Sequence, residues 1–288
     1  MSDATEPAGA DLVVQAADIG TPALKTLARI SGATGIVALA RAETQAFRLE
    51  GGGRRDAVAA FCLEAGFDFA FVPRERRLER VRLVAFDMDS TLITIECIDE
   101  IADLQGIKSE IAAVTASAMR GEIDFAESLA RRVALLAGLS VSALEKVYAE
   151  RLRLSPGAER MLAGFKRAGA RTLLVSGGFT FFTDRLKARL GLDHTLACTL
   201  EIVDNRLTGR VRGQIVDGAR KAETFARLRA EICGGGGLAV AIGDGANDLP
   251  MLRAADVSVA YRAKPIVRAG AAHAIDHCGL DAVLNLFA

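Results

Sequence analysis

Val84-Ala85-Phe86-Asp87-Met88-Asp89-Ser90-Thr91-Leu92 is an apolar run that stops at two carboxylates two residues apart. Its first residues suit a strand covered on both faces, and the carboxyl ends of strands in an open parallel sheet are where ligands bind. Strand geometry carried through to Asp89 points the side chains at 87 and 89 to one side, because successive residues alternate across a sheet. Two negative charges held that close require a cation or a proton. A magnesium ion that neutralises the carboxylates and the oxygens of a phosphate lets Asp87 attack an anionic phosphorus atom, while Asp89 holds the proton. Asp and Ser after a strand are also ordinary turn residues, so the run needs support from elsewhere in the chain.

Three further segments supply it. Leu173-Leu174-Val175-Ser176-Gly177-Gly178 is a second apolar run, ending in a hydroxyl and two glycines that bring backbone N–H groups within reach of a phosphate. Lys221 follows Gly218-Ala219-Arg220 at the start of a helix-like stretch and offers a fixed positive charge. Leu238-Ala239-Val240-Ala241-Ile242-Gly243-Asp244-Gly245-Ala246-Asn247-Asp248 is a third strand, closing in a glycine turn with two more carboxylates.

DMDST at 87–91, SGG at 176–178, Lys221 and GDGAND at 243–248, in that order, resemble the four motifs of the haloacid dehalogenase superfamily of phosphohydrolases. From about residue 80 to the end, the chain is similar to the branch that hydrolyses O-phospho-L-serine in the last step of L-serine biosynthesis. The similarity also includes 95–101, Ser128 to Val133 and Val175 to Phe179. The resemblance implies an α/β fold, a Rossmann-like parallel sheet with a helical cap. Asp87 is then the nucleophile that becomes an aspartyl-phosphate, and Asp89 the general acid and base. Magnesium is held by Asp87, Asp244 and the backbone carbonyl of Asp89, with Asp248 orienting that shell. Ser176, Gly177 and Lys221 bind the phosphate and Asn247 supports them. Glu96 and Arg132 would pair with the ammonium and carboxylate of the substrate, the arginine fork matching a carboxylate. Arg131 is the alternative to Arg132, and Met119 and Phe125 match apolar positions that shield the pocket. Two rival readings stand beside this one. The first is a related enzyme acting on another small phosphomonoester, such as phosphohomoserine, or passing phosphate to an alcohol acceptor. The second is an amino-acid-binding regulator with a defunct phosphatase body, against which the intact Asp87, Asp89, Lys221 and Asp244 set argues.

Composition agrees. The 288 residues are 51% hydrophobic, enough for one large and one small domain. With 36 basic and 36 acidic residues there is no electrostatic footprint for nucleic acid or an anionic membrane. Residues 1–6 lack a basic start and an apolar stretch, and no uncharged run reaches a membrane span, so a cytoplasmic enzyme is expected. Cys62, Cys97, Cys198, Cys233 and Cys278 are odd in number and widely spread, which reads as reduced thiols. His273, His277 and Cys278 fall short of the four ligands of a structural zinc site.

Residues 1–10 are small and polar and are expected to be disordered. The next segment reads as strand, helix, strand, strand, helix, strand: Leu12 to Ala16, Pro22 to Ile30, Ile36 to Ala40, Gln45 to Leu49, Arg55 to Ala65 and Phe67 to Val72. That is a ferredoxin-like order. The resemblance makes it an ACT-like domain over 1–80, linker included, ahead of a catalytic domain over 81–288. A degenerate module serving stability or homodimer formation is its plainer reading, and no ligand residues can be named for it. Arg74 to Arg80 is a charged linker separating the two domains. Apolar positions at helical spacing between 96 and about 153 predict a four-helix cap that closes over substrate. Beyond it come a helix at Ala158 to Ala168, a strand at Arg171 to Val175, a helix at Phe181 to Leu190, a hairpin turning at Asp204-Asn205, and a glycine loop before the last motif.

Overall fold

The computed structural model describes residues 9–288. The expected disorder of the N-terminal tail falls on residues outside that range, except that Ala10 opens the first strand instead. Strands β1 (Ala10–Ala16), β2 (Gly35–Leu39), β3 (Gln45–Glu50) and β4 (Asp68–Pro73) form an antiparallel sheet in the order β2-β3-β1-β4, with α1 (Thr21–Ser31) and α2 (Arg55–Ala65) in the connections. Each helix stops at a glycine in the left-handed region, Gly32 and Gly66, as helix ends commonly do. Leu12 and Val14 pack with Leu27, Val58 and Cys62 into a small core. Val13 joins a different core, that of the larger unit. All seven residues of β1 are therefore buried, because the second face of the sheet is covered by the rest of the chain.

The larger unit contains β5 (Val81–Phe86), α3 (Cys97–Gln105), α4 (Lys108–Met119), α5 (Phe125–Ala134), α6 (Val141–Lys146), α7 (Ala158–Arg167), β6 (Arg171–Phe179), α8 (Thr180–Leu190), β7 (His194–Val203), β8 (Arg206–Arg212), α9 (Gly218–Cys233), β9 (Leu238–Gly243), α10 (Leu249–Arg253), β10 (Val257–Tyr261), α11 (Pro265–Gly270) and β11 (His273–Ile275). Its seven strands lie in the order β11-β10-β9-β5-β6-β7-β8, all parallel except β8. From β5 the chain builds outward through β6 and β7 and then crosses back to β9 on the other side. The carboxyl ends of β5 and β9 thus flank the point where the strand order reverses, the crevice at which such sheets bind ligands. Leu83, Val84, Ala85 and Phe86 are fully buried, as an uninterrupted apolar strand requires. The SGG segment, expected to follow a strand ending at Val175, is drawn into β6 with a register shift between Val175 and Phe179. Asp204 and Asn205 take φ of 48° and 61°, the double left-handed turn that joins a tight hairpin. The four cap helices α3 to α6 leave and rejoin the body through the bridge Ile93–Leu154.

The charged run 74–80, expected as a spacer, is stitched into the seam between the two units. Arg74 pairs with Asp11 at 2.8 Å, and Arg76 Nη1 donates to His273 Nε2 at 2.7 Å. Asp68 accepts from the N–H groups of Asp276 and Cys278, each at 2.8 Å, and Arg41 and Arg48 donate to the Phe287 carbonyl at 2.8 and 3.0 Å. All five cysteines are free and buried. No helix among the described residues is long and apolar enough to cross a membrane.

His273 is buried and accepts from Arg76, so burial first and the neighbouring guanidinium second hold its pKa down to about 3. The unfolded chain binds that proton near pH 6.5 and the folded chain does not. Stability is therefore complete above about pH 6.5 and falls as the pH drops toward 3. Urea titrations at pH 7.5 and 5.5 are expected to show a loss from this group of about 1 kcal/mol, absent from His273→Gln. An identical pH dependence in the two proteins would show that His273 does not carry the effect.

Candidate active site

Phe86 ends β5 and Asp87 follows in extended geometry, but the strand does not continue to Asp89. Met88 to Leu92 coil into a turn in which Ser90 takes φ of 55°. Asp87 and Asp89 therefore do not project side by side from one strand face, as strand alternation predicts. Asp89 is carried around the turn, where its Oδ1 accepts from Cys97 N at 3.0 Å. Its other oxygen faces β6 so closely that a Cβ on Gly178 would lie 2.7 Å from it, which is why that position has no side chain.

Asp87 Oδ1 accepts from Met88 N and from Lys221 Nζ, both at 2.8 Å, and Oδ2 has no hydrogen bond among the described residues. Lys221, one turn into α9, is fully buried; its ammonium also donates to Asp248 Oδ1 at 2.8 Å. Asp248 Oδ2 accepts from Gly245 N at 3.0 Å, and Thr91 Oγ1 donates to Asp244 Oδ1 at 2.8 Å. Carboxylate oxygens of Asp87, Asp244 and Asp248 lie within 4.8 Å of one another. Three acids thus meet one buried ammonium. Burial, with Asp248 adding to it and Lys221 opposing, raises the Asp87 pKa well above the carboxylate range. Burial likewise lifts Asp244 to about 6. For Lys221 burial works downward, but Asp248 and Asp87 outweigh it and keep the ammonium charged. An all-oxygen set of three acids beside a single ammonium suits a hard divalent cation, whose charge would favour the ionised carboxylates that burial disfavours. Asp248 spends both oxygens on protein donors, so Asp87 and Asp244 are the ones free to hold it.

Asp89 is different. Burial and the nearby Glu96 push its carboxyl up to about 7, so it exchanges a proton close to neutrality, as a general acid and base must. Ser176 is buried, and its oxygen accepts from Gly178 N at 2.8 Å, leaving the hydroxyl hydrogen to donate elsewhere.

Over this floor lies the cap. Glu96 immediately precedes α3 and accepts from Ser90 Oγ at 2.7 Å; burial between cap and body raises its carboxyl even though the residue stays open to solvent. Arg132 is half-buried on α5, its Nε 3.4 Å from Ser128 O, while Arg131 points outward to Glu127. Burial depresses the Arg132 pKa, opposed by Asp99, Glu96 and Asp89, so this guanidinium is the one facing the acids. Phe125, at the start of α5, lies across Gly177: a Cβ there would be 2.7 Å from its ring. Met119 does not join them. α4 buries Ile111 alone, and its last residue is left 72% exposed instead of shielding a pocket. Asn247 sits half-buried in the turn beneath α9, its carbonyl 2.7 Å from where a Gly218 Cβ would stand. Thr91 and Asp99 were not singled out from sequence. Thr91 lay inside the first motif, and Asp99 is one helical turn from Glu96, a spacing that marks a shared face.

The haloacid dehalogenase-like hydrolase family model matches residues 84–253, and a domain of unknown function, DUF4072, matches 12–58. A phosphoserine phosphatase of Polaromonas sp. is 54% identical over 219 residues, 73% of this chain and 91% of the relative. The crystal structure of a probable phosphoserine phosphatase from Vibrio cholerae, in unliganded form, superposes with a TM-score of 0.82 at 34% identity, covering 96% of this chain and 85% of that one. A structure described as a phospho-aspartyl intermediate analogue of phosphoserine phosphatase matches with a TM-score of 0.66 at 36% identity, over 72% of this chain and 99% of its own.

A methyl group at 178 must displace Asp89 or β6. Gly178→Ala is expected to lower turnover about 100-fold, since a shift of about 1 Å is enough for that, while the circular dichroism spectrum stays unchanged. Near-normal turnover in a folded Gly178→Ala protein would mean that the close approach to Asp89 is irrelevant to the chemistry.

Proposed function

We propose, for a chain that belongs to the haloacid dehalogenase-like hydrolase family, that it hydrolyses O-phospho-L-serine to L-serine and phosphate. The observation that supports this most is the pairing of two halves. On the floor, Asp87 is anchored by Lys221 beside a proton-holding Asp89; in the cap, one acid and one guanidinium face the same space. A phosphate recognises the floor, and an amino acid, with one ammonium and one carboxylate, matches the cap.

The steps follow from those positions. Asp87 Oδ2, the oxygen without a protein donor, attacks phosphorus in line and forms an aspartyl-phosphate as the ester P–O bond breaks. Asp89 gives its proton to the departing serine oxygen and is left ionised. It then takes a proton from water, which attacks the same phosphorus; phosphate leaves and the Asp87 carboxylate is restored. Lys221, the Ser176 hydroxyl and the Gly177 N–H hold the phosphate oxygens where charge accumulates, with Asn247 supporting. Magnesium, when bound by Asp87, Asp244 and the Asp89 carbonyl, supplies charge neutralisation between carboxylate and phosphate. Glu96 pairs with the substrate ammonium and Arg132 with its carboxylate, and Phe125 closes the gap between cap and phosphate loop. Residues 9–80 form an ACT-like unit docked on the catalytic unit. A metabolic enzyme of this kind, the last step of L-serine biosynthesis, would work in the cytoplasm.

Phosphate release is to be measured from O-phospho-L-serine, phosphohomoserine and a panel of other metabolite esters, with magnesium and with chelator. O-phospho-L-serine is expected to give the highest kcat/KM, and chelation to abolish release until magnesium is restored. A better substrate without an amino-acid moiety would overturn the assignment. In a second test, Arg132→Ala should lower kcat/KM for O-phospho-L-serine about 100-fold, and at least tenfold more than for p-nitrophenyl phosphate, as loss of a charge-assisted pair implies. Equal losses on both esters would remove Arg132 from substrate selection.

A further inference from the structure

Helix α5 carries Arg132 in its last turn, and the body of the protein grips α5 at both ends. At its start, the Phe125 ring lies against Gly177 on β6. Beyond its end, residues 138–141 run beside β8, joined to it by an antiparallel bridge between Ser140 and Arg206. Gly138 N donates to Leu207 O and Leu207 N to Leu139 O, each at 2.8 Å, and Val141 N donates to Asn205 O at 3.0 Å. Arg206 Nη1 adds a bond to Gly138 O at 2.7 Å. Between these points, the main chain of β8 touches the last turn of α5 at Gly209, where φ is 82°. A Cβ there would stand 2.9 Å from Ala137 Cβ and 3.2 Å from Ala134 O. The covalent ends of the cap lie elsewhere, at the Ile93–Leu154 bridge, backed by Thr94 N donating to Arg153 O at 3.0 Å. A cap held only there would swing Arg132 with it. The seam to β8 denies α5 that freedom.

We propose that the β7–β8 hairpin fixes the guanidinium of Arg132 over the phosphate loop, with Gly209 and Arg206 as positioning residues, so that selectivity for an ester bearing an α-carboxylate is set partly outside the pocket. This rests on the reading of Arg132 as the partner of the substrate carboxylate. The physical requirement is narrow. Carbon atoms in ordinary contact stand about 3.5–4.0 Å apart, so a methyl group at 209 pushes away Ala137, just beyond α5, and moves the last turn of α5 at Ala134 by a few tenths of an ångström. The positive φ adds strain of its own. A fork-to-fork pair with a carboxylate tolerates little displacement, whereas a substrate without that carboxylate does not sense it.

The test measures kcat and KM of Gly209→Ala, Arg206→Ala, Arg132→Ala and the double variant Gly209→Ala/Arg132→Ala on O-phospho-L-serine and p-nitrophenyl phosphate. Gly209→Ala is expected to lower kcat/KM for O-phospho-L-serine about tenfold, chiefly through KM, and to change the aryl ester by less than about twofold. Arg206→Ala should act in the same direction and more weakly. In the Arg132→Ala background, Gly209→Ala should change O-phospho-L-serine kcat/KM by less than about twofold, because the residue it acts through is gone. Equal losses on both esters, or a loss undiminished in the double variant, would overturn the proposal. Should Gly209→Ala fail to fold, the solvent-exposed Arg206→Ala decides: no selective loss there also overturns it. Failure of the underlying reading looks different, since Arg132→Ala alone would then impair both esters equally.

Discussion

The ammonium of Lys221, fully buried between Asp87 and Asp248, is the interaction on which the rest of the site depends. Two carboxylates at the carboxyl ends of neighbouring strands repel each other and resist burial. One buried cation bonded to both makes their approach tolerable, and breaking such a pair by removing one partner is strongly destabilising. Placing that cation requires α9 to start immediately below the turn that carries Asp248, and the chain passes so close there that a Cβ on Gly218 would stand 2.7 Å from the Asn247 carbonyl. The compensation is incomplete by design of the donor set. Burial first, and the neighbouring acids Asp248 and Glu96 after it, lift the Asp244 carboxyl to about 6, and the all-oxygen set that results suits a divalent cation.

Chemistry and selection are divided between layers. On the proposed reading, attack, proton transfer and phosphate binding come from the sheet side of the site, anchored on strands held together because β5 is hydrogen-bonded to both β6 and β9. The same reading gives the cap the groups that recognise the alcohol portion. Its two charges have opposite signs and lie on different helices, so their spacing is a property of cap packing rather than of either helix. Under that proposal, contacts between α5 and the body, at Phe125 and along β8, bear on recognition through the position of Arg132.

Much of this was legible in the sequence because the strands involved are continuous apolar runs ended by unusual residues. The β5 and β9 runs stop at carboxylates and β6 at a hydroxyl and two glycines, and each ends at the crevice. What sequence reasoning missed depends on departures from regular geometry. Strand alternation put Asp89 beside Asp87, whereas the left-handed Ser90 bends the chain and hands Asp89 to Cys97 and Gly178. A weakly amphipathic α4 gave no sign that Met119 would stay at the surface. Arg131 and Arg132 could not be separated by spacing; the outward i, i+4 pair with Glu127 separates them. The charged run 74–80 read as a spacer, because nothing local shows that the second face of the N-terminal sheet is covered. The pairing of residues 138–141 with β8 likewise joins segments too far apart in the chain for local patterning to reveal.

The central claim is that Asp87 becomes phosphorylated. Brief mixing with radiolabelled O-phospho-L-serine, acid quenching, borohydride reduction and peptide mapping test it most directly. The account predicts label bound to protein during turnover and, after reduction, homoserine at position 87. Label on another residue, or rapid product formation with no labelled protein at any time, would contradict it.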